Sequence, residues 1–343
     1  MNYYFLFLIL FFIISLIFIK VYGFDNIKQN KKYLIVIFVC LMLFSMLKSN
    51  DTAIDSYNYQ RIFEDISNTS FLDVYSFGRY EIGYKYFCKI ISLIWKNYTF
   101  FSAIVTIITL SGFYYFIKNY SNNYVYSLFI FITYDTYIFT FGILRQAIAL
   151  SILLFSIKYI KENKFVKFML LVLLASTFHK TALLFIVCYF LKKIPLNKKM
   201  MIVYSLLSLI ILIFGETIIN LILSYIYRPA NATFYSGSGY KLLLLLYLCS
   251  IVTYIYRNKL EKQNKFNVTL IKIIMYATLI QSLAPTFYNV GRMTIYFFPV
   301  LNILITNLLE IIKDKKLIIL MVVSLTIYYY FRTCDLIYAF FFM

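Results

Sequence analysis

Apolar runs of about twenty residues recur along this sequence from Tyr3 to Arg332. A helix of that length crosses the roughly 30 Å hydrocarbon layer of a bilayer. The composition agrees, because 62% of the 343 residues are hydrophobic and only 14% are charged. Soluble domains are about half apolar and a quarter charged. The sequence therefore predicts an all-α integral membrane protein and excludes a water-soluble fold.

Hydropathy divides the chain into twelve segments, which we interpret as a single polytopic membrane domain spanning residues 1–343. The first segment has neither a charged leading region nor a small-residue cleavage site, so we expect a retained helix rather than a signal peptide. His179 and Lys180 interrupt the stretch 165–191, which predicts a broken helix, with a re-entrant hairpin as the alternative. The segments lie at 3–22, 33–48, 98–117, 124–141, 144–160, 165–178, 181–191, 200–223, 240–256, 267–286, 293–312 and 316–332.

Lysines gather in six alternate connections, which the positive-inside rule assigns to the cytoplasm. One orientation, with both termini outside, satisfies all six clusters if residues 82–97 lie along the interface as an amphipathic helix. Residues 49–97 then form an outer-face loop that ends in this interfacial helix. The clusters lie at 20–32, 118, 158–167, 192–199, 257–265 and 313–316.

With this orientation, six of the seven arginines face outward, the reverse of the positive-inside expectation. The planar guanidinium suits phosphate and carboxylate, so an anionic group is expected at the outer face. The net charge of +19 does not predict nucleic-acid binding, because the charges punctuate membrane segments instead of forming a basic stripe.

Arg145 and Arg292 follow Gly142 and Gly291, and each opens an apolar segment whose N-terminus faces outward in this orientation. A cation in the first turn opposes the helix dipole by about 0.3–1 kcal/mol. Such placements are explained if backbone donors and guanidinium groups converge on one phosphate or diphosphate. Interfacial snorkelling is the structural alternative for either arginine alone.

His179 is the single histidine of the chain and lies at the break in 165–191. Histidine is costly within a membrane segment unless it faces a cavity or a partner, and an imidazole suits general-base chemistry near neutral pH. The adjacent Lys180 favours the neutral ring that a base requires. A lone histidine is, however, more often structural, and both interpretations stay open.

Carboxylates and aromatic rings mix in the outer loop, a combination that suits carbohydrate hydroxyls and apolar sugar faces. A solvated loop with interfacial tyrosines has the same composition. Asp51 and Asp55 share one face if helical, but their spacing is not a tight metal-binding pair, so no metal or cofactor is expected. The loop residues concerned are Asp51, Asp55, Tyr57, Tyr59, Arg61, Arg79 and Glu81.

Two stretches carry a resemblance to a known family. Asp55-Ser-Tyr57-Asn-Tyr59-Gln-Arg-Ile-Phe63, followed by Tyr80-Glu81-Ile82-Gly83-Tyr84, resembles the outer-loop signature of the EpsG family of Wzy-like polymerases of exopolysaccharide, capsule and O-antigen. Leu144-Arg145-Gln146-Ala147-Ile148-Ala149, continuing to Phe178-His179-Lys180-Thr181, resembles the central pattern of that family. Ile82 stands where members often carry proline, and Lys180-Thr181 where a serine is common.

The resemblance implies a GT-C-like glycosyltransferase of the bacterial cytoplasmic membrane, with its active site facing the periplasm or exterior. Its partners would be the lipid bilayer and polyprenyl-diphosphate-linked oligosaccharides as donor and acceptor, and a chain-length regulator is left open. His179 would be the base, with Asp55 or Asp51 in reserve. The residues expected to bind substrate are Arg145, Gln146, Arg292, Lys180, Arg228, Arg79, Glu81, Tyr57, Tyr59 and Arg61.

The alternative function is a flippase or transporter of lipid-linked glycans, whose arginines would line a path open to both sides of the membrane. Here the arginines are expected at one face. A membrane acyltransferase is a further alternative, but its companion histidines are not in this sequence.

Overall fold

The computed structural model describes residues 3–47, 55–134, 136–226, 239–312 and 314–334. Over these ranges the chain forms α-helices and short 3-10 helices and no strand, so the all-α prediction is confirmed. It divides into two compact units, Met1–Phe185 with Lys313–Met343, and Ile186–Ile312.

Most of the first unit comes from the N-terminal half of the chain. Short 3-10 helices lie at Asp73–Ser76 and, at the unit boundary, at Lys180–Ile186. The α-helices are α1 (Tyr3–Tyr22), α2 (Phe24–Ile27), α3 (Lys31–Met46), α4 (Ser56–Asn68), α5 (Ile82–Ile94), α6 (Tyr98–Tyr120), α7 (Tyr124–Thr133), α8 (Thr136–Gly142), α9 (Leu144–Lys161) and α10 (Phe165–Ser176).

The second unit contains eight α-helices in its described part, and the chain then returns to the first unit with α19 (Lys315–Cys334). A 3-10 helix, Arg292–Phe297, leads directly into α18. The eight helices are α11 (Val187–Leu191), α12 (Lys198–Ile213), α13 (Gly215–Ile226), α14 (Tyr240–Ile255), α15 (Arg257–Gln263), α16 (Asn267–Gln281), α17 (Tyr288–Gly291) and α18 (Phe298–Ile312).

Asparagine side chains start several of these helices. Asn30, Asn97, Asn123 and Asn197 each precede a helix and accept hydrogen bonds from its first backbone N–H groups. Those groups have no partner within the helix, which is why asparagine is favoured at this position. Helix starts are therefore encoded locally, in a sequence whose apolar runs would otherwise be continuous.

Each of the twelve predicted segments falls on one helix or on a broken pair of helices. In the described residues, four helices are long and apolar enough to cross a membrane by themselves, and up to seven spans result if each bent pair counts as one. The largest bends are 76°, between α12 and α13, and 75°, between α14 and α15. The protein is thus a multi-pass membrane protein with broken helices, as predicted.

Helix α9, which carries Arg145, packs closely on α6. A Cβ atom added at Gly112 would lie 2.7 Å from the Cα atom of Ser151, so only glycine permits this approach. The Ser151 hydroxyl donates to the Ile108 carbonyl of α6 at 2.6 Å. Small residues and hydroxyl bonds of this kind stabilise helix pairs in membranes, and here they fix the position of the arginine-bearing helix.

The helix expected within 82–97 is present as α5, but its two lysines point into the protein. The Lys89 ammonium donates to the carbonyls of Ser67 and Thr69 at 2.9 and 2.6 Å, where α4 ends. Lys85 donates to the Tyr75 carbonyl. These bonds satisfy carbonyls that a helix end leaves without partners. The lysines therefore tie the segment 67–75 to α5 and do not form the exposed face of this helix.

Candidate active site

The start of α5 lies against the break that follows α10. The backbone N–H groups of Gly83 and Tyr84 both donate to the Thr177 carbonyl, at 2.8 and 3.3 Å. A Cβ atom at Gly83 would lie 2.2 Å from the Thr177 hydroxyl oxygen and 2.9 Å from its carbonyl oxygen. Glycine is therefore required for this contact, which brings the residue before α5, Glu81, next to the residues after Thr177.

Four residues from three chain segments meet at that point, and we refer to Glu81, Arg145, His179 and Lys180 as the Glu81 cluster. The guanidinium of Arg145 bonds to Oε2 of Glu81. The other carboxylate oxygen, Oε1, lies 3.3 Å from Nδ1 of His179 and accepts the backbone N–H of Lys180 at 3.3 Å. Only 9% of the Glu81 side chain is exposed.

The Glu81 carboxylate carries its negative charge at any physiological pH. Burial by itself raises the pKa of this carboxyl group, but the His179 contact, the Arg145 charge and the backbone donors outweigh burial and lower the pKa to about 2. A partly buried carboxylate that stays ionised is thus the fixed electrostatic centre of the cluster.

Arg145 is the second residue of α9, in the turn where a cation opposes the helix dipole. The guanidinium is paired within the protein with the Glu81 carboxylate, and the phosphate expected from the sequence at this position stays a prediction. The Tyr80 ring lies 5.0 Å from the guanidinium carbon, a cation–π contact, and the Tyr59 phenol also interacts with the guanidinium. Its Nε atom is buried without a hydrogen-bond partner among the described residues.

His179 is held by the backbone at both sides of the break. Its N–H donates to the Ala175 carbonyl of α10 and its carbonyl accepts from Ala182, both at 3.0 Å. The ring is about a quarter exposed, with Nδ1 toward Glu81. Nδ1 is buried and lies near Glu81 without meeting hydrogen-bond geometry among the described residues, and the general-base role of His179 stays a prediction.

The remaining predicted site residues of the segment 55–80 lie before α5 and outside the Glu81 cluster. Tyr57, Arg61 and Arg79 are exposed, and Arg61 Nε lies 4.0 Å from the Asp65 carboxylate of the same helix. Asp55 precedes α4, and its carbonyl accepts the Tyr59 N–H at 3.0 Å.

Two of the residues predicted to bind substrate, Tyr59 and Gln146, are buried. Tyr59 belongs to the hydrophobic cluster beneath the loop, with Phe63, Tyr84 and Phe101, and Gln146 follows Arg145 on α9. Asp51 and Arg228 lie outside the described residues.

Arg292 lies in the second unit, at the first residue of the 3-10 helix before α18, and is exposed. Its turn is anchored by a buried amide. Gln281 donates to the Gly239 carbonyl at 3.0 Å and accepts the Thr294 hydroxyl at 2.8 Å. Gln281 therefore connects the Arg292 turn to the point where the described chain resumes after residue 238.

Sequence reasoning placed Glu81 among carbohydrate-binding residues and did not identify it as the centre of a charge cluster. Thr177, whose carbonyl docks α5, was not singled out. The Tyr80-Glu81-Ile82-Gly83-Tyr84 motif carried a signal for this arrangement. It places a carboxylate directly before an apolar helix whose second residue is glycine. The partners of Glu81 come much later in the chain, Arg145 at the start of α9 and His179 with Lys180 after α10, which no local pattern shows.

Fold and site together define a multi-pass helical membrane protein whose carboxylate, imidazole and guanidinium groups meet at helix ends. The sequence model of the EpsG family matches residues 33–341. The chain therefore belongs to the EpsG family, which is associated with Wzy-like polysaccharide polymerases, as the resemblance indicated. No curated protein and no solved structure matches the chain.

Proposed function

We propose that the protein is a polysaccharide polymerase that transfers a glycan from a polyprenyl-diphosphate-linked donor to the non-reducing end of a lipid-linked acceptor. The observation that carries this proposal is the Glu81 cluster, in which a carboxylate held ionised faces an imidazole beside a guanidinium. Family membership supports a polymerase-type function related to exopolysaccharide.

In this mechanism His179 is the general base. As the acceptor hydroxyl oxygen bonds to the donor's anomeric carbon, its proton passes to Nε2 of His179. The carbon–oxygen bond to the diphosphate breaks on the opposite face, and polyprenyl diphosphate leaves with the electron pair, so the configuration inverts. Glu81 orients the ring through Nδ1 and stabilises the imidazolium that forms.

The cations of the site serve the leaving group. Diphosphate leaves without a proton when positive charge balances the charge that develops on it, so one base suffices. Arg145 has one nitrogen engaged by Glu81 and retains further donors, and Lys180 is exposed beside it. Arg292 lies in the second unit, and its predicted phosphate contact stays a separate prediction.

The proposal places the cluster at the outer face of the bacterial cytoplasmic membrane, on the evidence of the lysine clusters. Impermeant maleimide should then label a cysteine at Lys180 but not at Lys164 or Lys262, in intact cells expressing a variant without native cysteines. All three positions are exposed. Labelling at Lys164 with protection at Lys180 would reverse the orientation.

The decisive assay of the function uses the purified protein in proteoliposomes with a lipid-linked repeat unit as the only substrate. A polymerase yields a ladder of longer lipid-linked glycans and releases polyprenyl diphosphate in proportion. Movement of the repeat unit across the bilayer without elongation would instead support the flippase alternative and refute the proposal.

A further inference from the structure

Helix α5 has an unusual distribution of charge. Its only charged residues are Lys85 and Lys89, and both are buried, with 4% and 7% exposure. Its exposed residues are Ile82, Ile90, Leu93 and Ile94, so no charge faces outward from it. The helix ends at Trp95, which is 60% exposed, followed by the exposed Lys96.

The neighbouring helix α4 provides an internal comparison, because it has the opposite arrangement. It buries Ile62, Phe63 and Ile66 and exposes Arg61 and Glu64. A helix that faces water buries its apolar stripe and exposes its charges, as α4 does. The two helices are packed together in one outer-loop region, yet only α4 has a surface suited to water.

The surface next to α5 continues the same pattern. Leu72 and Tyr75, in the loop that Lys85 and Lys89 fix to α5, are 85% and 72% exposed. Burying both ammonium groups is unfavourable unless they are fully hydrogen-bonded. Here the lysines are used to hold the loop, which exposes Asp73 as well as Leu72 and Tyr75, whereas the exposed residues of α5 itself are all apolar.

We infer that the apolar face of α5, with Leu72 and Tyr75, inserts into the bilayer surface as a membrane anchor of the outer loop. A helix of 13 residues is about 20 Å long, too short to cross the roughly 30 Å hydrocarbon layer, so it lies along the interface. Tryptophan is enriched at this depth, and a lysine after it reaches the headgroups. The occupant of the face is therefore the lipid surface itself.

This placement has a consequence for the Glu81 cluster, because Glu81 immediately precedes α5. An interfacial α5 sets the cluster at the depth of the lipid headgroups. If the proposed function is right, the diphosphate of a membrane-held donor reaches the cluster without leaving the bilayer surface. This access of the donor to the cluster depends on the proposed function, whereas the anchoring of α5 does not.

Trp95 is the only tryptophan of the chain, so its fluorescence reports on this one position. The full-length protein is reconstituted into liposomes with phospholipids brominated at shallow or deep acyl positions, and is separately titrated with acrylamide. The matched control carries Trp95→Phe with Glu64→Trp, which moves the probe to the exposed face of α4.

Shallow bromines should quench Trp95 more strongly than deep ones, and acrylamide should quench it several-fold less than the control. Acrylamide quenching equal to the control, without quenching by brominated lipid, would overturn the inference. Shielding of Trp95 from both quenchers would also overturn it, because a protein surface would then cover the face. The measurement needs no turnover, so it can fail or succeed independently of the proposed function.

Discussion

The Oε1 atom of Glu81 lies 3.3 Å from Nδ1 of His179, while the second oxygen of the same carboxylate is bonded to Arg145. One side chain thus orients the imidazole and balances the guanidinium. Because Glu81 precedes α5, Arg145 opens α9 and His179 follows α10, the cluster also fixes the relative positions of three helix ends. The same contacts therefore affect both catalysis and folding stability. The variants below measure the two effects separately.

Glu81→Gln should make folding stability depend on pH differently from the wild type. A carboxyl group whose pKa is lower in the folded state stabilises the fold above its unfolded pKa, and this contribution is lost as pH falls toward the folded value. For Glu81 the pKa falls from 4.5 to about 2, equivalent to on the order of 3 kcal/mol at 1.36 kcal/mol per unit. Thermal unfolding of both proteins in detergent measures this pH-dependent difference in stability.

The wild type should be more stable than Glu81→Gln by a constant amount from pH 5 to 8, and the difference should shrink below about pH 4.5. Glu162→Gln is the matched control, because that carboxylate is exposed and forms an ion pair with the exposed Lys164 two residues later. Equal stability of Glu81→Gln and wild type at pH 7 would refute the electrostatic role of the cluster.

Arg145→Ala should reduce polymerisation about ten- to a hundredfold, since a hydrogen bond to a charged group contributes about 1.5–3 kcal/mol. Lysine should rescue only in part, because an ammonium cannot engage Glu81 and stack on Tyr80 with the geometry of a guanidinium. Initial rates with purified variants measure this, with Arg257→Ala as the control from the second unit. A wild-type rate for Arg145→Ala would place the diphosphate elsewhere.

Much of the fold was predictable because membrane insertion is encoded locally. Apolar runs gave the helical segments, and the interruption at His179 gave the break between α10 and the following 3-10 helix. The helix bends between α12 and α13 and between α14 and α15 were not predicted. Such bends depend on packing against other helices, which hydropathy does not contain.

The candidate site was predicted as a set of residues but not as an arrangement. Arg145 and His179 were singled out because a cation at a helix start and a histidine in an apolar region are both costly. That Glu81 joins them depends on the glycine contact at Thr177, a tertiary feature. The buried lysines of α5 were likewise assigned to a surface helix, because sequence alone does not show that a loop covers them.

Gly83→Ala tests the contact that brings the cluster together. The added methyl group would overlap the Thr177 backbone and hydroxyl, so the start of α5 must shift, at a cost of about 1–3 kcal/mol. We expect lower thermal stability and a lower polymerisation rate together. Gly291→Ala is the stability control, because its added carbon would meet Ala284 at an ordinary 3.6 Å. Unchanged stability of Gly83→Ala would contradict the docking of α5 on Thr177.

Lys89→Met tests how the outer loop is held. It removes the donor to the Ser67 and Thr69 carbonyls, and leaving such groups without partners costs about 1–3 kcal/mol. Limited proteolysis should cut within 67–75 faster than in the wild type, together with a lower unfolding temperature. Lys199→Met, at an exposed lysine of α12, is the control and should behave as wild type. Equal cleavage rates would mean that Lys89 does not hold the loop.

In the proposed mechanism, His179 takes the acceptor proton under the control of Glu81. The most direct measurement is the single-turnover rate of glycan transfer by purified His179→Ala and His179→Gln in proteoliposomes, alongside donor binding. Positioned proton transfer contributes about a hundred- to ten-thousandfold, so both rates should fall by that factor while donor binding stays near normal. Near-normal transfer by both variants, with loss of transfer in Asp55→Asn, would contradict the account and assign the base to the outer loop.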